Sequence, residues 1–166
     1  MNPMFQAPTV CNTGPLIGLA RVNLAWLLFR LFPEVIVPEE VRDELLAKES
    51  PDRDQLIEVL RLATIHPRQN LPDRLLLTEL DPGEAAVISV ARQLSLSSVI
   101  LDERKARRIA ARVYELDVKG TAGLLVEAKK RGMIESVKPY LEGMIEGGYH
   151  LGPNLVAACL TEAKEM

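Results

Sequence analysis

Apolar and polar positions along the chain predict strands and helices in alternation. The run Pro8-Thr9-Val10-Cys11 is mostly apolar, ends on the polar Asn12 and is broken by Gly14-Pro15 before a helical pattern starts. It reads as the first strand of a parallel sheet, with Asn12 delivered to the carboxyl edge, where open α/β sheets bind ligands. Leu24 to Phe32 is apolar around most of a helical circumference, with Asn23 as its predicted N-cap, and belongs in the core or at a subunit contact. Glu34-Val35-Ile36-Val37 is a second short strand, and Pro38 suits the first turn of a helix running to about Lys48. Steps of about 100° per residue put Val41 and Leu45 on the buried stripe of that helix, Glu44 at its border and Asp43 well outside it. Glu44 is therefore the carboxylate of this helix best placed to look inward.

Pro51 starts another amphipathic helix, through Leu56, Ile57, Leu60 and Leu62, and Ala63 to His66 is a brief strand before Pro67. The polar, proline-containing stretch from there to Leu77 reads as an excursion. Asp81-Pro82-Gly83-Glu84 is the clearest helix start in the chain: Asp81 at the N-cap, Pro82 at the first position and Glu84 at the third form a capping box. The body that follows, Ala85 to Ala91, is apolar nearly all round and must be buried. Ser98 to Leu101 is a strand that ends in Asp102-Glu103. The next helix carries Ala106, Ile109, Ala110, Val113 and Tyr114 on one face and Arg104, Lys105, Arg108 and Arg112 on the other. Leu116 to Val118 is the last strand, Thr121 is the predicted cap of a helix from Ala122 to Arg131, and Gly132 ends it. Helices near Val137 to Ile145 and Pro153 to Lys164, separated by Gly147-Gly148, close the chain. The sum is a single α/β domain over residues 1–166, a central parallel sheet with a helical C-terminal end.

Composition narrows the function classes. With 166 residues, 48% hydrophobic and 26% charged, the chain fits one soluble globular core. Aromatic residues, at 4%, leave little for base stacking. A formal charge of −3 argues against coating nucleic acid by bulk charge, yet permits a local basic patch assisted by metal. Cys11 and Cys159 match no metal-ligand spacing and read as buried reduced thiols, as in a cytoplasmic protein. No apolar run is long enough to predict membrane insertion, and no basic-then-apolar leader predicts export. His66 and His150 are isolated and read as surface or packing residues.

Asn12, Glu84 and Asp102-Glu103 fall at one end of such a sheet, and Glu44 can join them from its helix. Oxygens converging from separate elements are what Mg²⁺ or Mn²⁺ requires, and such an ion can activate water against a phosphodiester. Each residue also has a plain structural role open to it: Asn12 in a turn, Glu84 in its capping box, Asp102-Glu103 in the first turn of a helix, Glu44 in solvent. With 23 acidic residues in the chain, spacing alone does not decide between them.

Four stretches together carry a more specific signal: Val10-Cys11-Asn12-Thr13-Gly14-Pro15-Leu16-Ile17-Gly18-Leu19, Leu80 to Ile88, Ile100 to Arg107, and Gly120 to Leu125 with Ala128 to Ile134. In these the chain resembles the PIN-domain ribonucleases, specifically a prokaryotic branch related to toxin ribonucleases, over a span from Val10 to about Tyr149. The resemblance implies a three-layer α/β/α domain and a metal-dependent ribonuclease that hydrolyses RNA with Mg²⁺ or Mn²⁺. Carried over by motif, the metal ligands fall on Asn12, Glu44, Glu84 and Asp102 or Glu103, with Glu84 and Asp102 catalytic. The departure is Asn12, where most active members have Asp; its amide can coordinate through oxygen but contributes no charge. The same resemblance implies the toxin of a toxin-antitoxin pair, with a small antitoxin protein as partner, and a cytoplasmic homodimer for which Leu24 to Phe32 is a candidate contact. Arg104, Lys105 and Arg108 would hold the RNA backbone. A different function fits the same residues: a non-catalytic PIN-like module that binds RNA or protein, its metal site degenerate at Asn12.

Overall fold

In the computed structural model, which describes residues 5–68 and 73–166, five strands pair in parallel. They are β1 (Thr9–Cys11), β2 (Val35–Pro38), β3 (Thr64–His66), β4 (Ser98–Ile100) and β5 (Asp117–Lys119), and they lie side by side in the order β3-β2-β1-β4-β5. Every residue of β1, β2 and β4 is buried, whereas β3 and β5 at the two edges are partly exposed. Central strands covered by helices on both faces need continuous apolar runs, which is how Val35 to Val37 and Val99 to Leu101 read. Helices α1 (Thr13–Arg21) and α2 (Leu27–Leu31) follow β1, and α3 (Glu39–Ala47) and α4 (Arg53–Leu62) follow β2. Then α5 (Arg74–Glu79) and α6 (Pro82–Gln93) join β3 to β4, and α7 (Arg104–Arg112) joins β4 to β5. The chain ends in α8 (Thr121–Lys130), α9 (Lys138–Glu146) and α10 (Pro153–Glu162). This is the expected PIN-like α/β/α arrangement with a helical C-terminal end.

The strand order creates the crevice. From β1 the chain builds outward to β2 and β3, then returns to place β4 on the other side of β1, so connections leave these neighbours toward opposite faces. Ligands of open α/β sheets bind outside the carboxyl ends at such a switch point. The register is Cys11 opposite Ile100, and the Asn12 N–H donates to the Ile100 carbonyl at 3.1 Å. Asn12 and Asp102 are thereby the residues that leave the sheet on the two sides of the crevice. Below them the core is aliphatic, with Leu16, Leu19, Leu27, Leu28, Ile88, Ile100 and Leu124 at 0–1% exposure. Each such side chain contributes about 1.5–3 kcal/mol by leaving water. Thr9 and Ser98, the buried polar residues of the central strands, are paired, the Ser98 hydroxyl donating to Thr9 Oγ1 at 2.8 Å and accepting from Lys119 Nζ at 3.4 Å.

Three sequence expectations change. Asn23 does not cap α2; it ends α1, with φ 60° and the paired bonds Leu24 N–H to Leu19 O (2.8 Å) and Asn23 N–H to Ala20 O (3.1 Å) of a Schellman motif. Asparagine tolerates this left-handed conformation, which is why it can stand where glycine is usual. Thr121 is not the cap of α8 but its first residue, after Gly120, and its N–H and hydroxyl go to Asp102. The excursion before Leu77 contains the start of α5, capped by Asp73 and anchored by the buried Leu76; residues 69–72 of that stretch lie outside the described residues. Leu24, Leu27, Leu28, Leu31 and Phe32 are all buried in the core of this chain. Among the described residues no helix is long and apolar enough to cross a membrane. Both cysteines are free and buried.

Candidate active site

The capping box predicted for α6 forms in full. Asp81 Oδ1 accepts the Glu84 N–H at 2.8 Å and Glu84 Oε1 accepts the Asp81 N–H at 3.2 Å. The box leaves Gly83 buried at the second helical position, facing the carboxyl edge of the sheet. A methyl group there would lie 3.1 Å from Glu44 Oε2, 3.2 Å from Asn12 Oδ1 and 3.5 Å from Asp81 Oδ1. Oxygens from β1, α3 and the α6 cap thus share one small space that exists because residue 83 has no side chain. Glu44 looks inward as its helical phase predicts and accepts the Thr13 hydroxyl at 2.9 Å, with Lys48 at 3.6 Å on its outer oxygen. Asn12 is 8% exposed, and its Oδ1 is buried without a hydrogen-bond partner. Such an orphaned acceptor costs about 1–3 kcal/mol unless something outside the chain meets it.

Glu84 is 7% exposed. Burial raises its carboxyl from the ordinary 4.5 to about 7; the negative charges of Asp81 and Glu103 push the same way, against the Asp81 N–H. Near neutrality it therefore holds or releases a proton with equal ease. Glu103 caps α7, its Oε2 accepting the Ala106 N–H at 2.9 Å, and reaches Glu84 through charge.

Asp102 is engaged otherwise. Its Oδ1 accepts the Thr121 N–H at 2.8 Å, and its Oδ2 accepts the Thr121 hydroxyl at 2.5 Å and the Tyr149 hydroxyl. Next to it the Cys11 thiol is pushed well up, first by burial and then by the Asp102 charge, so it stays protonated and packs as a small apolar group. Among the described residues no three His, Cys, Asp or Glu side chains group to hold an ion by themselves. The fit to a cation therefore rests on the mixed set around Gly83, in which the amide Asn12 stands among carboxylates. The orphaned oxygen and the side-chain-free space both suit a hard divalent ion, which takes oxygen ligands of either kind.

On the predicted basic helix, Arg104, Arg107, Arg108 and Arg112 line one open surface trough with Ala111 and Val118. Among the described residues Arg104, Arg108 and Arg112 have no carboxylate partner, whereas Lys105 pairs with Glu79 at 2.8 Å. Arg107 bonds the Leu101 carbonyl at 2.8 Å and extends the trough toward Asp102 and Gly120. Sequence reasoning did not single out Thr13, Gly83, Arg107 or Tyr149. Gly14 and Gly18, one turn apart on an otherwise apolar helix, were the available sign that something approaches α1 closely.

A parallel five-stranded sheet of this order, with acids and an amide gathered at its switch point, defines a PIN-like α/β/α domain. The model of the PIN domain family matches residues 8–165, and the chain belongs to that family. PIN domains are of nuclease type and generally use divalent metal ions. No curated protein and no solved structure matches the chain.

Proposed function

We propose that this PIN domain is a divalent-cation-dependent ribonuclease that hydrolyses single-stranded RNA at the carboxyl edge of its sheet. The observation that carries the proposal is the buried, unpartnered Asn12 Oδ1 facing the space over Gly83 together with Glu44 Oε2. Asn12, Glu44 and Glu84 would hold Mg²⁺ or Mn²⁺, with Asp102 and Glu103 bordering the site from the β4 side. When bound, such an ion supplies Lewis acidity, neutralising phosphate charge and acidifying water at neutral pH. The chain's own residues do the rest. Glu84, titrating near 7, gives up its proton to become a ligand. Thr13 steadies Glu44 by its hydrogen bond. The trough of Arg104, Arg107, Arg108 and Arg112 would bind the RNA backbone as point charges and forks, positioning the strand without reading sequence.

The finer assignment, a cytoplasmic toxin silenced by a small antitoxin, is supported by family membership and by two free cysteines suited to a reducing compartment. The decisive experiment compares wild type, Asn12→Asp and Glu84→Gln on a labelled single-stranded RNA with Mn²⁺. Restoring the fourth acid should raise cleavage and Mn²⁺ affinity together, and Glu84→Gln should abolish cleavage and weaken Mn²⁺ binding. If no variant cleaves RNA and none binds Mn²⁺, the non-catalytic binding module is the correct function.

A further inference from the structure

Between α3, α5 and α6 lies a pocket of about 220 Å³. It adjoins the space over Gly83. Pro82 on its wall directly precedes Gly83, and Glu40 on its wall stands one turn before Glu44 on the same face of α3. Four residues of helix span about 6 Å, which puts the pocket and the oxygens of Asn12 and Glu44 within reach of a single nucleotide. Helix α6 turns the small residues Ala85, Ala86 and Ser89 to this side, where larger side chains would close the gap, and Leu77 and Val90 complete apolar walls. Drug-sized ligands fill about 300–1,000 Å³; this pocket takes one flat ring system.

The polar groups on the wall differ in what they are free to do. Asp73 Oδ1 caps α5, accepting the Leu75 N–H at 3.0 Å, and Oδ2 faces Arg92 at 3.8 Å. Arg68 pairs with Asp43 at 2.6 Å. Glu40 and Ser89, by contrast, have no hydrogen-bond or ion-pair partner among the described residues. An acceptor-only carboxylate beside a hydroxyl, between apolar walls, suits a flat ligand that donates two hydrogen bonds from one edge. Among the RNA bases that is guanine, whose N1–H and N2–H₂ are adjacent on the Watson–Crick edge; adenine and cytosine offer one amino group there, and uracil one imide N–H. We propose that the pocket of Glu40, Ser89, Ala85 and Ala86 binds a guanine of the RNA strand, Glu40 accepting N1–H and N2–H₂ through its two oxygens, so that cleavage falls beside guanosine. The proposal rests on the reading of the chain as one that acts on RNA. Single-stranded RNA is commonly read through bases splayed from the strand and hydrogen-bonded on their edges. Apolar side chains can hold the ring faces, which suits a chain with only 4% aromatic residues. The arginine trough then grips backbone of any sequence, and the pocket does the reading.

The test is fluorescence anisotropy of the full chain, in EDTA so that nothing is cleaved, on labelled oligoadenylate with and without one central guanosine, cytidine or uridine. Wild type should bind the guanosine oligomer roughly tenfold tighter than the others, the lower part of the range for a two-bond base contact. Glu40→Gln, which puts one acceptor and one donor where there were two acceptors, should erase that preference and leave oligoadenylate binding unchanged. A carboxylate that merely repels the backbone would, once neutralised, strengthen all the oligomers alike, and that result overturns the proposal. Ser89→Leu, which fills the pocket from α6, should erase the preference too, and it decides the matter should Glu40→Gln fail to fold. Equal binding of the oligomers by wild type, or an equal gain from cytidine or uridine, overturns the guanine pocket and leaves the ribonuclease reading standing. A guanosine preference in a protein that cleaves no RNA with Mn²⁺ supports the pocket and removes the ribonuclease reading instead. Absence of binding to any oligomer overturns both.

Discussion

The pH behaviour of Glu84 gives the sharpest check on the site, since one substitution moves stability and cation binding in opposite directions. Its carboxyl titrates near 7 in the fold, against 4.5 when free, because it is buried beside Asp81 and Glu103. A raised carboxyl means that the folded chain binds the proton more tightly than the unfolded one. The stability this confers is complete below about 4.5 and is lost as the pH rises through about 7. At about 1.4 kcal/mol per pH unit, the ionised form at pH 8 is disfavoured by roughly 3 kcal/mol. Glu84→Gln cannot ionise, yet it keeps an oxygen for the Asp81 N–H, as capping boxes with Gln do. The variant should therefore match wild type near pH 4.5 and exceed it at pH 8 by several degrees in Tm, at about 2–4 °C per kcal/mol for a domain of this size. Cation binding runs the other way, because the ion needs the carboxylate. Wild-type Mn²⁺ affinity should fall roughly tenfold from pH 8 to pH 6 as the ionised fraction falls, with proton uptake in the reverse step, while Glu84→Gln binds weakly at both. Thermal melts between pH 4.5 and 8.5, with and without Mn²⁺, measure both effects. A Tm difference that does not change with pH, or equal Mn²⁺ responses of wild type at pH 6 and 8, refutes the reasoning.

Gly83→Ala should fill the space shared by Asn12 and Glu44, abolishing the Mn²⁺-induced rise in Tm while leaving the metal-free Tm within a few degrees, since alanine suits a helix; a Mn²⁺ response equal to wild type would move the cation elsewhere. Replacing Arg104, Arg108 and Arg112 by Ala should weaken RNA binding and lower the slope of log K against log salt by roughly 2, about 0.7 for each single-strand phosphate no longer neutralised. Stability should barely change, as these charges are exposed. An unaltered slope, read by fluorescence anisotropy across salt concentrations, would make this face plain solvated surface.

Much of the fold is written in short-range pattern, and its physics is correspondingly local. The apolar runs of β1, β2 and β4, the stripe of Val41 and Leu45, the capping box of Asp81 and Glu84 and the glycine stop at Gly132 each depend on residues within a few positions of one another. The cap and the helical stripe rest on hydrogen bonds over three or four residues and on the helical repeat, and the strand runs show as local apolar pattern even though their pairing is long-range. Glu44 at the border of its stripe was legible for the same reason, and so was the basic face of α7.

What tertiary structure alone decided is which polar groups meet. Asn12, Glu44 and Gly83 lie on three separate elements, and it is the sheet order that brings them around one space. Asp102 stood beside Glu84 as a candidate ligand in the sequence, yet its oxygens are taken by Thr121 and by Tyr149, 47 residues further along the chain. Asn23 followed the rule for starting a helix and instead ends one, because asparagine serves both roles and only the path of the chain chooses. A polar side chain's partner is set by distances between elements, and those distances follow from packing the whole core, which no local pattern contains.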